Sequence, residues 1–560
     1  MIKTLLKQYI NNAVHKITKN DVSFDIRIPS KEFGDYSSNI GLVLCKQLHQ
    51  SPQDINLRLI DILNKSKDFT KYFSQVQEAN GFLNFTLNPK FVHQEIKNIN
   101  KQKEKYFMVK NSTKKKPKVQ VEFVSANPTG PLTLANARAA FFGKALADIL
   151  SYNGFQVEKE FYVNNTGKQI YNLGIAIIKA WKLNPGDYGY KFNELDIYKG
   201  NYINEISVII RSKIKGDLET YVKKHSPDDI GSMAVKENLA QIKYVLSKKA
   251  NIVFDNWFLE TDLKKLGYLD KVFKWLVNEG FTYKKDGALW LKTTKMFNDD
   301  KDRVLQRSEG GLETYFLNDI AYHLEKFSHR KFDWVIDIFG ADHFTHAQKM
   351  IWVVNKMKET GIIKPSSRFD IILIQFMTLL KNGKPFKMSK RQGNFITFED
   401  FIDAVGKDAA SFFILERSTD THLDFDYDLA IEQSDKNPVY YIQYAYARIC
   451  SIQNKFTKSV KTHKQNIDLS LLNNKNEIGL MKEILRLPDI LHDISLTFEV
   501  HLLTNYVVNL AKAFHSFYQN CPIIKSEEKL QASRLFLLDA TKITFELCFS
   551  IMNIDTKKHM

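Results

Sequence analysis

The stretch Val119-Gln-Val-Glu-Phe-Val-Ser-Ala-Asn-Pro-Thr-Gly-Pro-Leu-Thr133, with the Ala-rich run from Leu134 to Leu150 behind it, decides the fold. Val119 to Val124 reads as a strand, being rich in β-branched and aromatic residues. A Pro/Gly loop then feeds a helix that stops at Asn153-Gly154, and a second strand, Gln156 to Val163, follows. The order returns as strand Trp334 to Phe339, helix Thr345 to Glu359 and strand Phe369 to Phe376. Strands alternating with helices in this way predict a parallel, doubly wound, Rossmann-like α/β domain, an architecture that often binds nucleotides.

Outward from that domain, Leu5, Leu6, Tyr9, Ile10, Ala13, Val14 and Ile17 recur at helical spacing, and Asn80-Gly-Phe-Leu-Asn-Phe85 alternates like a strand. Together with Phe33-Gly-Asp-Tyr-Ser-Ser-Asn39 they predict a small N-terminal α/β domain, residues 1–110. From Lys101 to Lys118 the chain turns polar and basic, including Lys114-Lys-Lys-Pro-Lys118, and reads as a linker. After Lys407 the only glycine is Gly479, and Val439 to Phe456, Ile490 to Tyr518 and Leu530 to Ile551 carry helical apolar spacing. The expected layout is therefore a catalytic domain over 111–433, with insertions, and an all-α C-terminal helical bundle over 434–560.

At 560 residues the chain has room for several cores. Its 80 Lys and Arg against 63 Asp and Glu leave +17, a balance that favours a polyanion such as nucleic acid, although a lysine-rich proteome would give the same excess. Cys45, Cys450, Cys521 and Cys548 are scattered, so no zinc site and no disulfide framework is expected, and no metal ligand set stands out. The first residues lack a secretory apolar core and no uncharged run is long enough to span a bilayer. The expectation is a cytoplasmic protein without a membrane partner.

Ligands of an open parallel sheet bind where strands end and helix N-termini begin. Three stretches fall there. Ser125 to Thr133, running on to Arg138, shapes a tight turn suited to a triphosphate. Gly340-Ala-Asp-His343, just after a strand, offers a close backbone approach, a carboxylate and an imidazole; His343 is open to a ligand contact or to a supporting role. Phe386-Lys-Met-Ser-Lys390 places two lysines on a loop, where they can follow negative charge onto a leaving pyrophosphate.

These residues resemble a known family. KMSK at 387–390, with a strand-loop-helix element about 250 residues upstream, is similar to the two signatures of class I aminoacyl-tRNA synthetases. SANPTGPL at 125–132, TYFLNDIAYH at 314–323, GADH at 340–343, LDFDYDLA at 423–430 and NPVYYIQYAYARI at 437–449 resemble the arginyl-tRNA synthetase family. The resemblance implies a domain touching the tRNA elbow, a catalytic domain and a helical anticodon-binding domain. It further implies activation of L-arginine by ATP with Mg²⁺, transfer to the 2′-OH at the 3′ end of tRNA-Arg, and a need for tRNA before the adenylate forms. ATP would meet Thr133, Asn136, Gly340, Asp342, His343, Lys387, Ser389 and Lys390, with Thr133, Asn136, Lys387 and Lys390 active in catalysis. Glu260, Tyr315 and Asp319 would hold the arginine side chain, and Ser125 and Asn127 its ammonium and carboxylate end.

A guanidinium is planar, always charged and best met by oriented carboxylates, and Tyr315 and Asp319, four apart, share a helical face beside the stripe Phe316, Ile320, Leu324 and Phe327. Tyr440, Tyr444 and Arg448 are candidates for stacking and charge contacts to tRNA, although half of that aromatic row must face the bundle core. The first signature departs from the family pattern: Thr133-Leu-Ala-Asn136 stands where His-x-Gly-His is usual, so both imidazoles are replaced by uncharged donors. That departure keeps a second reading open, a catalytically impaired tRNA-binding paralogue. A synthetase for cysteine, the other rival, should carry zinc-binding cysteines. The protein is expected to act as a monomer.

Overall fold

The computed structural model describes residues 1–18, 20–109, 116–297, 300–306, 315–386, 396–456 and 467–560. The chain divides into two compact units. One joins Met1–Val109 to Gln433–Ser550 and Asp555–Met560, and the other comprises Lys110–Glu432 with Ile551–Ile554.

The second unit is built on a five-stranded parallel sheet. Its strands are β1 (Lys118–Glu122), β2 (Gln156–Val163), β3 (Asn256–Leu259), β4 (Trp334–Gly340) and β5 (Arg368–Ile374), in the order β5-β4-β1-β2-β3. The order reverses at β1, so the crevice beside the carboxyl end of β1 is a switch point at which such sheets take ligands. The helix Leu134–Tyr152 crosses from β1 to β2. It lies so close to the sheet that a side chain at Gly143 would meet the Phe123 ring at 2.3 Å. The helix Tyr315–Ser328 precedes β4, and the helix Phe344–Glu359 joins β4 to β5. Ile320, Leu324 and Phe327 are buried, so the apolar stripe packs as its spacing predicts. Four helices, Lys168–Ala180, Asn201–Lys213, Leu218–Lys224 and Pro227–Tyr244, are inserted between β2 and β3.

In the first unit, the strands Phe73–Ala79 and Phe82–Leu87 form a hairpin closed by Asn80 (φ 54°) and Gly81 (φ 86°), the left-handed pair that a two-residue turn demands. Helix Ile2–Thr18 buries Leu6, Ile10, Ala13 and Val14. One sequence expectation changes here. The linker does not begin at Lys101: the helix Pro89–Gln102 runs into a 3₁₀ turn, Lys103–Phe107, whose Phe107 is buried. Val92, Ile96, Ile99 and Phe107 are buried and supply the apolar surface that orders a segment whose other residues are mostly polar or charged. The run from Ile490 to Tyr518 is helical as its spacing predicts, but in two pieces. It breaks into Leu487–Thr497 and His501–Asn520 at Phe498, which takes a left-handed φ of 62° without a glycine or proline to announce it.

Candidate active site

The site begins with a strained turn. Beyond β1, Val124 (φ 70°) and Ser125 (φ 38°) are both left-handed, and the Ser125 N–H donates to the Phe123 carbonyl at 3.0 Å. Such a γ-like reversal at a β-branched residue costs roughly 1–3 kcal/mol and persists only where its surroundings enforce it. Here the Ser125 hydroxyl does so: it donates to Glu122 Oε1 (2.9 Å) and accepts from the Tyr162 N–H (3.0 Å), tying the ends of β1 and β2 together.

The loop then reaches the helix entrance. Thr133 is the N-cap, and Asn136 Oδ1 accepts from both the Thr133 N–H (2.9 Å) and the Thr133 hydroxyl (3.1 Å). Its carbonyl side is thereby committed to the cap, and its amide NH₂ is the end available to a ligand. Thr133 also pairs with Thr397, flanked by Leu134 N–H to Ile396 C=O (3.0 Å) and Phe398 N–H to Leu132 C=O (2.8 Å). The exit of the lysine loop is thus fastened to the first signature, although Lys387, Ser389 and Lys390 themselves lie outside the described residues.

Beneath the turn is a buried charge network. Lys326, fully buried, donates to Glu122 Oε2 (2.7 Å) and Asp337 Oδ1 (2.9 Å). His323 bridges Asp337 Oδ2 (2.7 Å) and the Asp319 carbonyl oxygen (2.7 Å). Burial alone would push the Asp337 carboxyl up, but Lys326 and His323 outweigh it and hold it at about 2. For Glu122 burial wins over Lys326 and the carboxyl is raised. Removing one member of such a network strands the others in a medium that cannot solvate them.

Above this floor opens a cleft of about 530 Å³. Ser125, Asn136, Asp319, Gly340, Asp342 and His343 all line it. Asp342 turns back over Gly340, where an added side chain would meet its carboxylate at 2.5 Å. Asp319 projects from the helix Tyr315–Ser328, and its Oδ2 lies 2.9 Å from His346 Nε2. Tyr315 opens that helix, and its side chain lies outside the described residues. Asn127 is exposed on the loop and Thr133 stands beside the cleft rather than in its wall. Glu260 is 6% exposed and sits behind Tyr162, accepting from Tyr162 Oη (2.9 Å), Thr166 Oγ1 (3.0 Å) and Asn318 Nδ2 (2.8 Å). Burial raises its carboxyl against the pull of those hydrogen bonds.

Sequence reasoning missed Glu122, Tyr162, His323, Asp337 and His346, all of which also line the cleft, and Lys326 beneath it. The signal was present for three of them. Asp337 is a lone carboxylate inside an otherwise apolar strand, Glu122 faces the same way as Gln120 in a strand that is apolar at alternate positions, and Lys326 shares a helical face with Asp319 and Tyr322. In the first unit, the helix Pro438–Lys455 carries Tyr440 and Tyr444, stacked at 6.3 Å and 7°. Arg448 lies over the rings of Tyr444 and Tyr518, beside a groove that Lys455, Lys525, Lys558 and His559 also line. Tyr446 of the same row is 1% exposed and faces the core.

A parallel sheet with its cleft at the switch point is built to take a nucleotide-like ligand, and the family described as tRNA synthetases class I (R), catalytic domain, matches residues 95–435, so the fold and site are those of a class I synthetase. The arginyl tRNA synthetase N terminal domain matches 2–87, and the DALR anticodon binding domain matches 442–560. The chain belongs to the arginyl-tRNA synthetase family. An arginine–tRNA ligase of Aquifex aeolicus is 36% identical across 100% of both chains, and one of Caldanaerobacter subterraneus is 37% identical across 100% of this chain and 98% of its own. The solved arginyl-tRNA synthetase of Thermus thermophilus superposes with a TM-score of 0.77 over 100% of both chains, at 19% identity a likeness of fold.

Proposed function

We propose that the cleft between Asn136 and Asp319 is where this enzyme, an arginine–tRNA ligase, joins L-arginine to ATP before passing the arginyl group to the 3′ end of tRNA-Arg. The observation that carries the reading is that the two residues named from unrelated stretches, one for nucleotide and one for guanidinium, line the same walls. Full-length relatives named as ligases give the impaired-paralogue reading no support.

The arginine carboxylate attacks the α-phosphate of ATP, releasing pyrophosphate, and the terminal ribose hydroxyl of tRNA then attacks the activated carbonyl. No side-chain nucleophile is needed. The chain's work is positioning and electrostatics. Asp319 takes the guanidinium; Glu260, locked by three donors, supports that wall through Tyr162. Ser125 and Asn127 serve the ammonium and carboxylate end. The Asn136 amide and the lysines at 387 and 390 meet the phosphates. Mg²⁺ would accompany ATP and neutralise charge on its phosphates, and Asp342, 61% exposed, is the cleft carboxylate that would be open to it. The chain works in the cytoplasm and as a monomer.

Asp319→Asn tests the assignment, since it preserves shape and removes the charge. The arginine KM should rise by at least about tenfold, the scale of one charged hydrogen bond, with the ATP KM changed far less. An unchanged arginine KM refutes it.

A further inference from the structure

Asp319 is not a free carboxylate waiting for substrate. Its Oδ2 is 2.9 Å from His346 Nε2, and the two side chains are about equally exposed, 32% and 31%. The imidazole is held between aromatic rings, with Phe316 edge-on at 5.9 Å and 78° and Phe339 tilted at 6.0 Å. Phe316 comes from the helix of Asp319, Phe339 from β4 and His346 from the helix that follows it, so three elements converge on one contact. From the other side, His323 meets the Asp319 carbonyl oxygen at 2.7 Å while bonded to the buried Asp337. Backbone and side chain of the acid are therefore each fixed by a histidine.

We infer that His346 is a positioning residue for arginine selection: it fixes the plane of the Asp319 carboxylate and leaves Oδ1 for the guanidinium. The inference rests on the assignment of Asp319 made above. A half-exposed Asp that had to be ordered on binding would lose rotamer freedom at the moment of recognition, whereas one already tied to His346 does not. The bond is not a competitor for substrate, because a carboxylate has lone pairs for several donors.

Steady-state aminoacylation by the full-length enzyme, with arginine and ATP varied separately, tests this. His346→Ala should raise the arginine KM by about three- to tenfold, the cost of ordering one side chain, with kcat and the ATP KM within about twofold. His346→Gln, whose amide can donate to Oδ2, should recover most of the loss; a simple packing defect would not be rescued by that flexible side chain. In an Asp319→Asn background, His346→Ala should add little further. An arginine KM that is unchanged or lowered in His346→Ala, while Asp319→Asn raises it, overturns the positioning role and leaves the acid assigned. So does an equal effect in both backgrounds. If Asp319→Asn itself leaves the arginine KM untouched, the acid is misassigned and the inference falls with it.

Discussion

At the scale of single residues, the pairing of Asp337 with Lys326 and His323 has a measurable pH signature. The folded carboxyl sits at about 2 rather than its ordinary 3.8. A lowered folded value means stability that is present in full above the unfolded value and lost as pH falls toward the folded one. The gap in unfolding free energy between the natural protein and Asp337→Asn, followed by urea denaturation, should therefore narrow by about 1 kcal/mol between roughly pH 5 and roughly pH 3. A gap independent of pH would mean that the fold does not lower the Asp337 carboxyl, and a gap that widened on acidification would mean that it is not ionised there. Glu122 works in the opposite sense, because its raised carboxyl is a cost above its ordinary value that acid relieves. The Asp319 charge was legible from the sequence, since its helix has clear periodicity. Its partner was not: His346 lies 27 residues away by number, on a different helix, and only packing between the two brings them together.

At the scale of elements, the helix entrance does two jobs with one side chain, and they can be separated. Asn136 Oδ1 accepts both Thr133 donors, and the proposed phosphate contact falls to the amide. Asn136→Asp keeps the acceptor and sets a negative charge at a helix N-terminus, which the dipole favours by about 0.3–1 kcal/mol. It also removes the only donor and places a charge facing ATP. Thermal stability should hold or rise slightly while the ATP KM rises at least about tenfold, the value of a charge-assisted hydrogen bond. Asn136→Ala should instead lose about 1 kcal/mol of capping together with ATP affinity. A normal ATP KM in Asn136→Asp would show the residue to be a cap alone. The strands and helices around this entrance were legible because their hydrophobic periods are plain, with Gln156–Val163 bounded as read. The left-handed turn at Val124 was not, because valine carries no signal for such a conformation and the hydrogen bonds that enforce it come from Glu122 and Tyr162.

At the scale of the whole molecule, the +17 charge bears chiefly on the polyanionic substrate, whereas the small cleft has its own local charges, Glu122, Asp319, Asp337 and Asp342 with Arg138. The two kinds of recognition should therefore respond differently to salt. Each phosphate neutralised on tRNA releases counterions, giving a log-log slope near −0.7 to −0.9 per contact. Contacts made inside a partly desolvated cleft are screened far less. The tRNA KM should rise steeply as salt is raised from about 50 to about 200 mM, by at least about tenfold if only a few phosphate contacts are lost, with the arginine KM shifting by no more than about twofold. Arg448→Gln adds the local half of the test: it removes a cation from the groove beside Tyr444 and Tyr518, so it should raise the tRNA KM and make its salt slope shallower, with arginine and ATP unaffected. A tRNA KM that ignores salt, or an Arg448→Gln enzyme with an unaltered slope, would mean that the positive charge and this groove are surface chemistry unconnected with the substrate.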